Sequence, residues 1–189
     1  DITVHMRHHQ AVDFHGGHNE EDWSVTLAET GLHTMTGGRV QRIKRYVEKD
    51  DLFMLTYGDG VADIDVEELI RFHKSHGRVA TVTAVSPPSR FGEMVLEQGR
   101  VQSFIEKPQV TEGSISGGYF VLDAKRVWDY LGEDNEGLVF EREPLQALAS
   151  DDQLVAYDHK GFWQPMDTSR EYNLLNRLWD TGEAPWKVW

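Results

Sequence analysis

The chain has 189 residues, of which 39% are hydrophobic and 27% charged, with a formal net charge of −13 and no cysteine. That length allows one sizeable core in a single domain over residues 1–189, and the acidity argues against a nucleic-acid partner, whose phosphates require a basic face. The lack of cysteine excludes disulfide and thiolate chemistry and is the pattern expected of a cytoplasmic protein; no apolar run nears the roughly 18 residues that span a bilayer, so no membrane partner is expected.

In chain order, Ile2-Thr3-Val4 opens on a strand-like pattern, and residues 23–28 alternate with period two, as a half-buried strand does. Thr36-Gly37-Gly38 precedes a helical stretch with Val40, Ile43 and Val47 on one face. Leu52-Phe53-Met54-Leu55-Thr56 suits a strand buried on both faces of a parallel sheet. Asp63 or Asp65 caps a helix that carries Val66, Leu69, Ile70 and Phe72 and closes at His76-Gly77. Residues 79–85 form the next strand, and this βαβαβ rhythm predicts parallel strands with helices on their faces. After Pro87-Pro88 the rhythm changes. Residues 93–97 and 101–105 flank Gln98-Gly99 as a hairpin, and residues 115–122 form a strand broken by Gly117-Gly118, where another group approaches the backbone. Helices at 124–131 and 141–149, a strand at 154–157 and an amphipathic helix at 168–179 complete the chain. The fold expected is α/β: a Rossmann-like, mostly parallel sheet flanked by helices, with a small additional β-region.

Chemistry concentrates at two carboxylates. The strand ending at Thr56 runs into Tyr57-Gly58-Asp59-Gly60, whose glycines let the chain turn sharply and leave Asp59 past the strand's carboxyl end. Open α/β sheets bind their ligands there. Asp167 follows a second apolar lead-in, Phe162-Trp163-Gln164-Pro165-Met166. Two carboxylates converging at a sheet edge suit a hard cation such as Mg2+; the competing readings are a turn residue for Asp59 and a helix cap for Asp167. Positive charge clumps at Arg39, Arg42, Lys44 and Arg45, with Arg90 and Lys107 apart, enough to hold one triphosphate despite the acidic total. His5, His8, His9, His15, His18 and His33 crowd the beginning, but Gly16-Gly17 reads as a flexible loop rather than a zinc site.

Several strings taken together point to a family. They are Met35-Thr36-Gly37-Gly38-Arg39, Tyr57-Gly58-Asp59-Gly60-Val61-Ala62-Asp63, Arg90-Phe91-Gly92, Phe104-Ile105-Glu106-Lys107-Pro108, Gly117-Gly118-Tyr119-Phe120-Val121-Leu122 and Gly161-Phe162-Trp163-Gln164-Pro165-Met166-Asp167-Thr168. In this order and spacing they resemble the sugar-phosphate nucleotidyltransferases, and the last string resembles the glucose-1-phosphate cytidylyltransferase branch in particular. The resemblance runs through to Ala184-Pro185-Trp186-Lys187.

The resemblance implies the nucleotide-diphospho-sugar transferase fold and an Mg2+-dependent, homo-oligomeric enzyme. Its substrates would be CTP and glucose 1-phosphate and its products CDP-glucose and pyrophosphate, for bacterial surface-polysaccharide (O-antigen) sugars. By the same resemblance Asp59 and Asp167 are metal ligands and, with Lys107, the catalytic residues. Thr34, Arg39 and Gly58 surround the nucleotide; Lys107 holds the sugar phosphate; Glu106 accepts from sugar hydroxyls; backbone at Gly92 and Gly118 comes close to the sugar. Family members carry a Gly-Gly-x-Gly-Thr-Arg loop and a Lys-Pro string ahead of these motifs. Neither occurs in this sequence, so the chain is expected to be a piece of a longer protein, incomplete at its N-terminus. The alternatives are a relative that uses UTP, dTTP or GTP, and a non-catalytic truncated paralogue.

Overall fold

A computed structural model of the chain describes residues 2–4, 12–14, 24–86, 93–105 and 113–188, with residues 2–4, 12–14, 93–96 and 104–105 as backbone alone. β1 (Ile2–Val4) and β2 (Val12–Phe14) pair antiparallel as a two-stranded ribbon. Residues 24–28 do not form the strand that their alternation predicts. Val25 and Leu27 are 74% and 93% exposed, and among the described residues no strand runs alongside them. A strand exists through its ladder, and without one these backbone groups turn to water.

The predicted helix after Met35 is two short ones, α1 (Thr36–Arg42) and α2 (Lys44–Val47), separated at Ile43, where Tyr46 N donates to Ile43 O. Gly37 and Gly38 lie inside α1, not before it, because the helix docks there on another segment: a Cβ on Gly37 would come within 2.7 Å of Leu138 Cγ, and one on Gly38 within 2.6 Å of Asn135 O. β3 (Leu52–Thr56) and β4 (Gly60–Ala62) follow. Of the two candidate caps for α3 (Val66–His76), Asp65 serves, accepting from Glu68 N at 2.9 Å, and left-handed Gly77 (φ +65°) ends the helix. β5 is Ala80–Val85. β6 (Glu93–Glu97) and β7 (Arg100–Ile105) form the expected hairpin, with positive φ at both Gln98 and Gly99, as a type I′ turn requires. The chain continues through β8 (Ile115–Asp123), α4 (Trp128–Leu131), α5 (Glu143–Ser150), β9 (Leu154–His159), β10 (Trp163–Pro165) and α6 (Ser169–Asp180). α4 is shorter than predicted because the chain from Ala124 to Val127 is a series of turns.

The main sheet has the order β3-β8-β5-β9. β5 and β9 pair parallel, while β8 runs antiparallel to both its neighbours. β3, β5 and β9 therefore share one direction, and β8 opposes them. The β3–α3–β5 crossover leaves a strand's width between β3 and β5, which β8 fills. Central on both faces, β8 supplies Phe120, Val121 and Leu122 at 0% exposure. Phe140 meets Phe120 edge-on at 5.4 Å, and Trp128 stacks on Phe53 at 5.7 Å. Each such side chain contributes about 1.5–3 kcal/mol on burial. Among the described residues no helix is long and apolar enough to cross a membrane.

Candidate functional site

Beyond β3 the ladder persists to Tyr57, whose N donates to Gly118 O at 3.2 Å. The chain then bends through Gly58 and Asp59 into β4. Neither Gly58 nor Gly60 adopts a positive φ, and a Cβ on Gly58 would meet nothing within 4 Å. The bend is thus made without the glycine-only backbone that the sequence suggested.

β4 pairs antiparallel with β10, Gly60 opposite Pro165, and Met166 N donates to Asp59 O at 2.8 Å, one residue beyond the ladder. Asp167 is the next residue, so Asp59 and Asp167 stand one position out of register on neighbouring segments, both exposed. Their supports are specific. Tyr119 Oη donates to Gly60 O at 2.7 Å and Trp163 Nε1 to Gly117 O at 2.8 Å, pinning both segments to β8. On the far side of Asp167, α6 begins with a capping box: Glu171 Oε2 accepts from Asp167 N and Thr168 N, each at 2.9 Å, and Thr168 Oγ1 accepts from Glu171 N. At the other end of β4, His159 Nε2 lies 2.9 Å from Asp63 Oδ1 and 3.2 Å from Phe162 O. Both are acceptors, so Nε2 carries the proton.

Two exposed aspartates on neighbouring segments offer hard oxygen donors of the kind a cation that keeps waters or takes substrate oxygens uses. Among the described residues no group of three or more His, Asp, Glu or Cys could hold a metal.

A cavity of about 540 Å³ opens beside Asp59, with Arg39 and Gly58 at its rim and Val40, Ile43 and Leu55 in its wall. Arg39 is held by Nη1 to Thr30 Oγ1 (2.9 Å) and Nη2 to Leu32 O (3.4 Å). Three expected residues, Arg39, Gly58 and Asp59, thus share one cavity. Thr34 does not border it: it is 4% exposed, and its hydroxyl accepts from Arg42 Nη1 at 2.7 Å. Gly118 lies behind Tyr57, at φ +78°, where a Cβ would come within 2.7 Å of the Tyr57 ring. Gly92, Glu106 and Lys107 lie outside the described residues, as do Arg90 and the histidines from His5 to His18.

Sequence reasoning gave no role to three further residues on this cavity. Glu141 accepts from Tyr57 Oη on Oε1 and from Thr36 Oγ1 on Oε2, the latter at 2.6 Å, and Phe140 N donates to Thr36 Oγ1 at 3.0 Å. Burial raises the pKa of Glu141, but the bonds from Thr36 and Tyr57 more than offset it and hold the carboxyl below its ordinary value. Burial, then the bond to Glu141 and its charge, push the Tyr57 phenol well up, so it stays protonated and donates. Tyr57 and Thr36 both lie in quoted motif strings. Glu141 had no signal, since its partners are 84 and 105 residues away.

Residues 1–179 match the nucleotidyl transferase family. The chain is 48% identical over all its 189 residues to glucose-1-phosphate cytidylyltransferase of Salmonella typhi, of which it spans 72%. It is 44% identical over 169 residues to the probable glucose-1-phosphate cytidylyltransferase of Bacillus subtilis, covering 89% of this chain and 65% of that one. A solved structure of a putative glucose-1-phosphate thymidylyltransferase from Bacillus anthracis, in complex with a sucrose, superposes with a TM-score of 0.55 over 83% of this chain and 64% of the other; at 18% identity it speaks for the fold alone.

Proposed function

We propose that this chain, which belongs to the nucleotidyl transferase family, carries the site for transfer of a cytidylyl group from CTP to glucose 1-phosphate. An oxygen of the sugar phosphate attacks the α-phosphorus of CTP, the bond to the bridging oxygen breaks, and pyrophosphate leaves with that electron pair, giving CDP-glucose. No protein nucleophile is needed; the work is positioning and charge neutralisation. The observation that carries this reading is the β4–β10 pairing, which brings the Asp167 segment alongside Asp59, a residue that lines the Arg39 cavity. The cytidylyltransferases of Salmonella typhi and Bacillus subtilis supply the choice of substrates.

Asp59 and Asp167 would hold Mg2+, which when bound supplies charge stabilisation on the triphosphate oxygens. Arg39 presents a guanidinium fork on the cavity rim, suited to a phosphate or base edge. Lys107 and Glu106 are assigned to the sugar phosphate and the sugar hydroxyls, Gly92 and Gly118 to backbone approach to the sugar, and Thr34 to supporting Arg42 behind the nucleotide. A product destined for surface-polysaccharide sugars fits this chemistry, as does work as a homo-oligomer.

The test is pyrophosphate release from glucose 1-phosphate with CTP, UTP, dTTP, GTP and ATP in turn, with and without Mg2+, in the chain and in a form extended to the length of the relatives. CTP- and Mg2+-dependent release is expected from the extended form. Equal use of several nucleotides, or none, would overturn the assignment.

A further inference from the structure

The carboxylate of Glu141 sits between the two elements that bring Arg39 and Asp59 to the cavity. One oxygen accepts from Tyr57, two residues before Asp59 at the end of β3. The other accepts from Thr36, the first residue of α1, one turn before Arg39. Each oxygen already accepts one bond from the protein, so Glu141 links the two elements, while its carboxylate keeps acceptor capacity on the cavity side.

Each partner is itself constrained. The Thr36 hydroxyl donates to Glu141 while accepting from Phe140 N, which leaves it one orientation. The amide donors Met35 N, Gly37 N and Gly38 N reach Glu136 O and Leu138 O, sewing the start of α1 to the segment that ends at Glu141. The absence of side chains at Gly37 and Gly38 permits that approach. The Tyr57 ring lies against left-handed Gly118 and meets Phe120 edge-on at 6.0 Å, so its hydroxyl has one direction in which to point.

From this arrangement we propose that Glu141 is a positioning residue. Through Thr36 and Tyr57 it sets the spacing between Arg39 on α1 and Asp59 after β3, and so preforms the cavity for the nucleotide. The proposal rests on the nucleotide reading of the cavity, but its structural half is measurable without any nucleotide. A preformed site avoids the ordering cost that a loose one incurs on binding.

The experiment compares Glu141→Ala, Glu141→Gln and Tyr57→Phe with the unaltered sequence by hydrogen exchange, with the α3 amides as internal reference, and, in the form extended to the length of the relatives, by calorimetric titration of CTP with Mg2+. In Glu141→Ala the amides of Tyr57 and Met166 and those opening α1 should exchange at least about tenfold faster while α3 is unchanged, as expected for loss of hydrogen bonds to a charged group. The CTP dissociation constant should rise by a similar factor. Tyr57→Phe cuts one arm only, so the Tyr57 and Met166 amides should loosen and the start of α1 should not. Glu141→Gln, which keeps an acceptor for one partner, should recover part of the loss. Exchange within twofold of the unaltered chain in Glu141→Ala, or a uniform rise that includes α3, would overturn the proposal. If the exchange pattern appears but the unaltered extended form has no affinity for CTP, the tether stands and the choice of nucleotide falls.

Discussion

Gly58 and Gly118 border the same Tyr57 for opposite reasons. At Gly58 the backbone φ is ordinary and a Cβ would enter open space beside the cavity. Gly58→Ala should therefore leave stability unchanged or raise it by about 0.4–1 kcal/mol through the unfolded chain, while weakening nucleotide binding if a ligand uses that space. At Gly118 the φ of +78° and the Tyr57 ring at 2.7 Å exclude a side chain. Gly118→Ala should cost about 1–2 kcal/mol for the left-handed backbone alone, with the clash in addition. Thermal unfolding of the two variants checks the contrast, and equal effects would mean the backbone assignments are wrong. Asp59→Ala and Asp167→Ala test the chemistry instead. Both residues are exposed, so each variant should stay folded while turnover in the form extended to the length of the relatives falls by roughly a factor of 100 or more, the scale of losing a ligand to the ion that neutralises a phosphoryl transfer. Near-normal turnover with Mg2+ in either would remove that carboxylate from the metal site.

Between α3 and β5 the side chains settle their own proton positions. Arg78 N donates to His76 Nδ1 at 3.0 Å, so neutral His76 carries its proton on Nε2 and donates to Thr81 Oγ1 at 2.8 Å. The Thr81 hydroxyl then donates to His73 Nδ1, also at 2.8 Å. The bond from Arg78 N requires neutral His76, and the bond from Thr81 requires neutral His73. Burial, with the positive charges of His76, Arg126 and Lys74 against the counteracting Asp123, lowers the His73 pKa from 6.5 to about 4; burial, with Arg78, lowers that of His76 as well. A depressed folded pKa means that the unfolded chain takes up protons first. The stability is complete above pH 6.5 and drains away as pH falls toward 4, with about 3 kcal/mol at stake for His73. Urea midpoints between pH 7.5 and 4.5 should show that decline. In His73→Asn, whose side-chain oxygen replaces the Nδ1 acceptor, the decline should flatten; an unchanged slope would place the titration elsewhere.

At the scale of the molecule, β3 is one flank of the main sheet and β9 the other. Among the described residues β3 has β8 as its one partner, and its outward Met54 is 37% exposed. An apolar edge strand invites pairing with another chain, and a net charge of −13 opposes this only by general repulsion. The 189-residue chain should therefore self-associate in sedimentation experiments, increasingly so at high salt, where the repulsion is screened. Met54→Lys, a charge on the edge, should return it toward monomer. A monomer at all salt concentrations would show that the edge is covered.

Local chemistry sufficed wherever one element decides its own shape. The stop of α3 at Gly77, the turn at Gln98-Gly99 and the capping box ahead of α6 are satisfied by neighbours a few residues away, so sequence alone determines them. The choice of Asp65 over Asp63 as cap waited on the fold, and β3, expected to be buried on both faces of a parallel sheet, is partly exposed and pairs antiparallel with β8. The motif strings likewise sufficed to place the chain among the nucleotidyl transferases. What only the tertiary structure decided are relations between distant segments. Residues 24–28 carry a strand's alternation yet have no ladder to join, and β8 runs against its neighbours because the β3–α3–β5 crossover leaves it a gap. Asp59 comes alongside the Asp167 segment only through the β4–β10 pairing, and Glu141, in the turn ahead of α5, reaches Tyr57 across 84 residues. Such contacts depend on loop closure and on the packing of a shared core, and neither leaves a local pattern in the sequence.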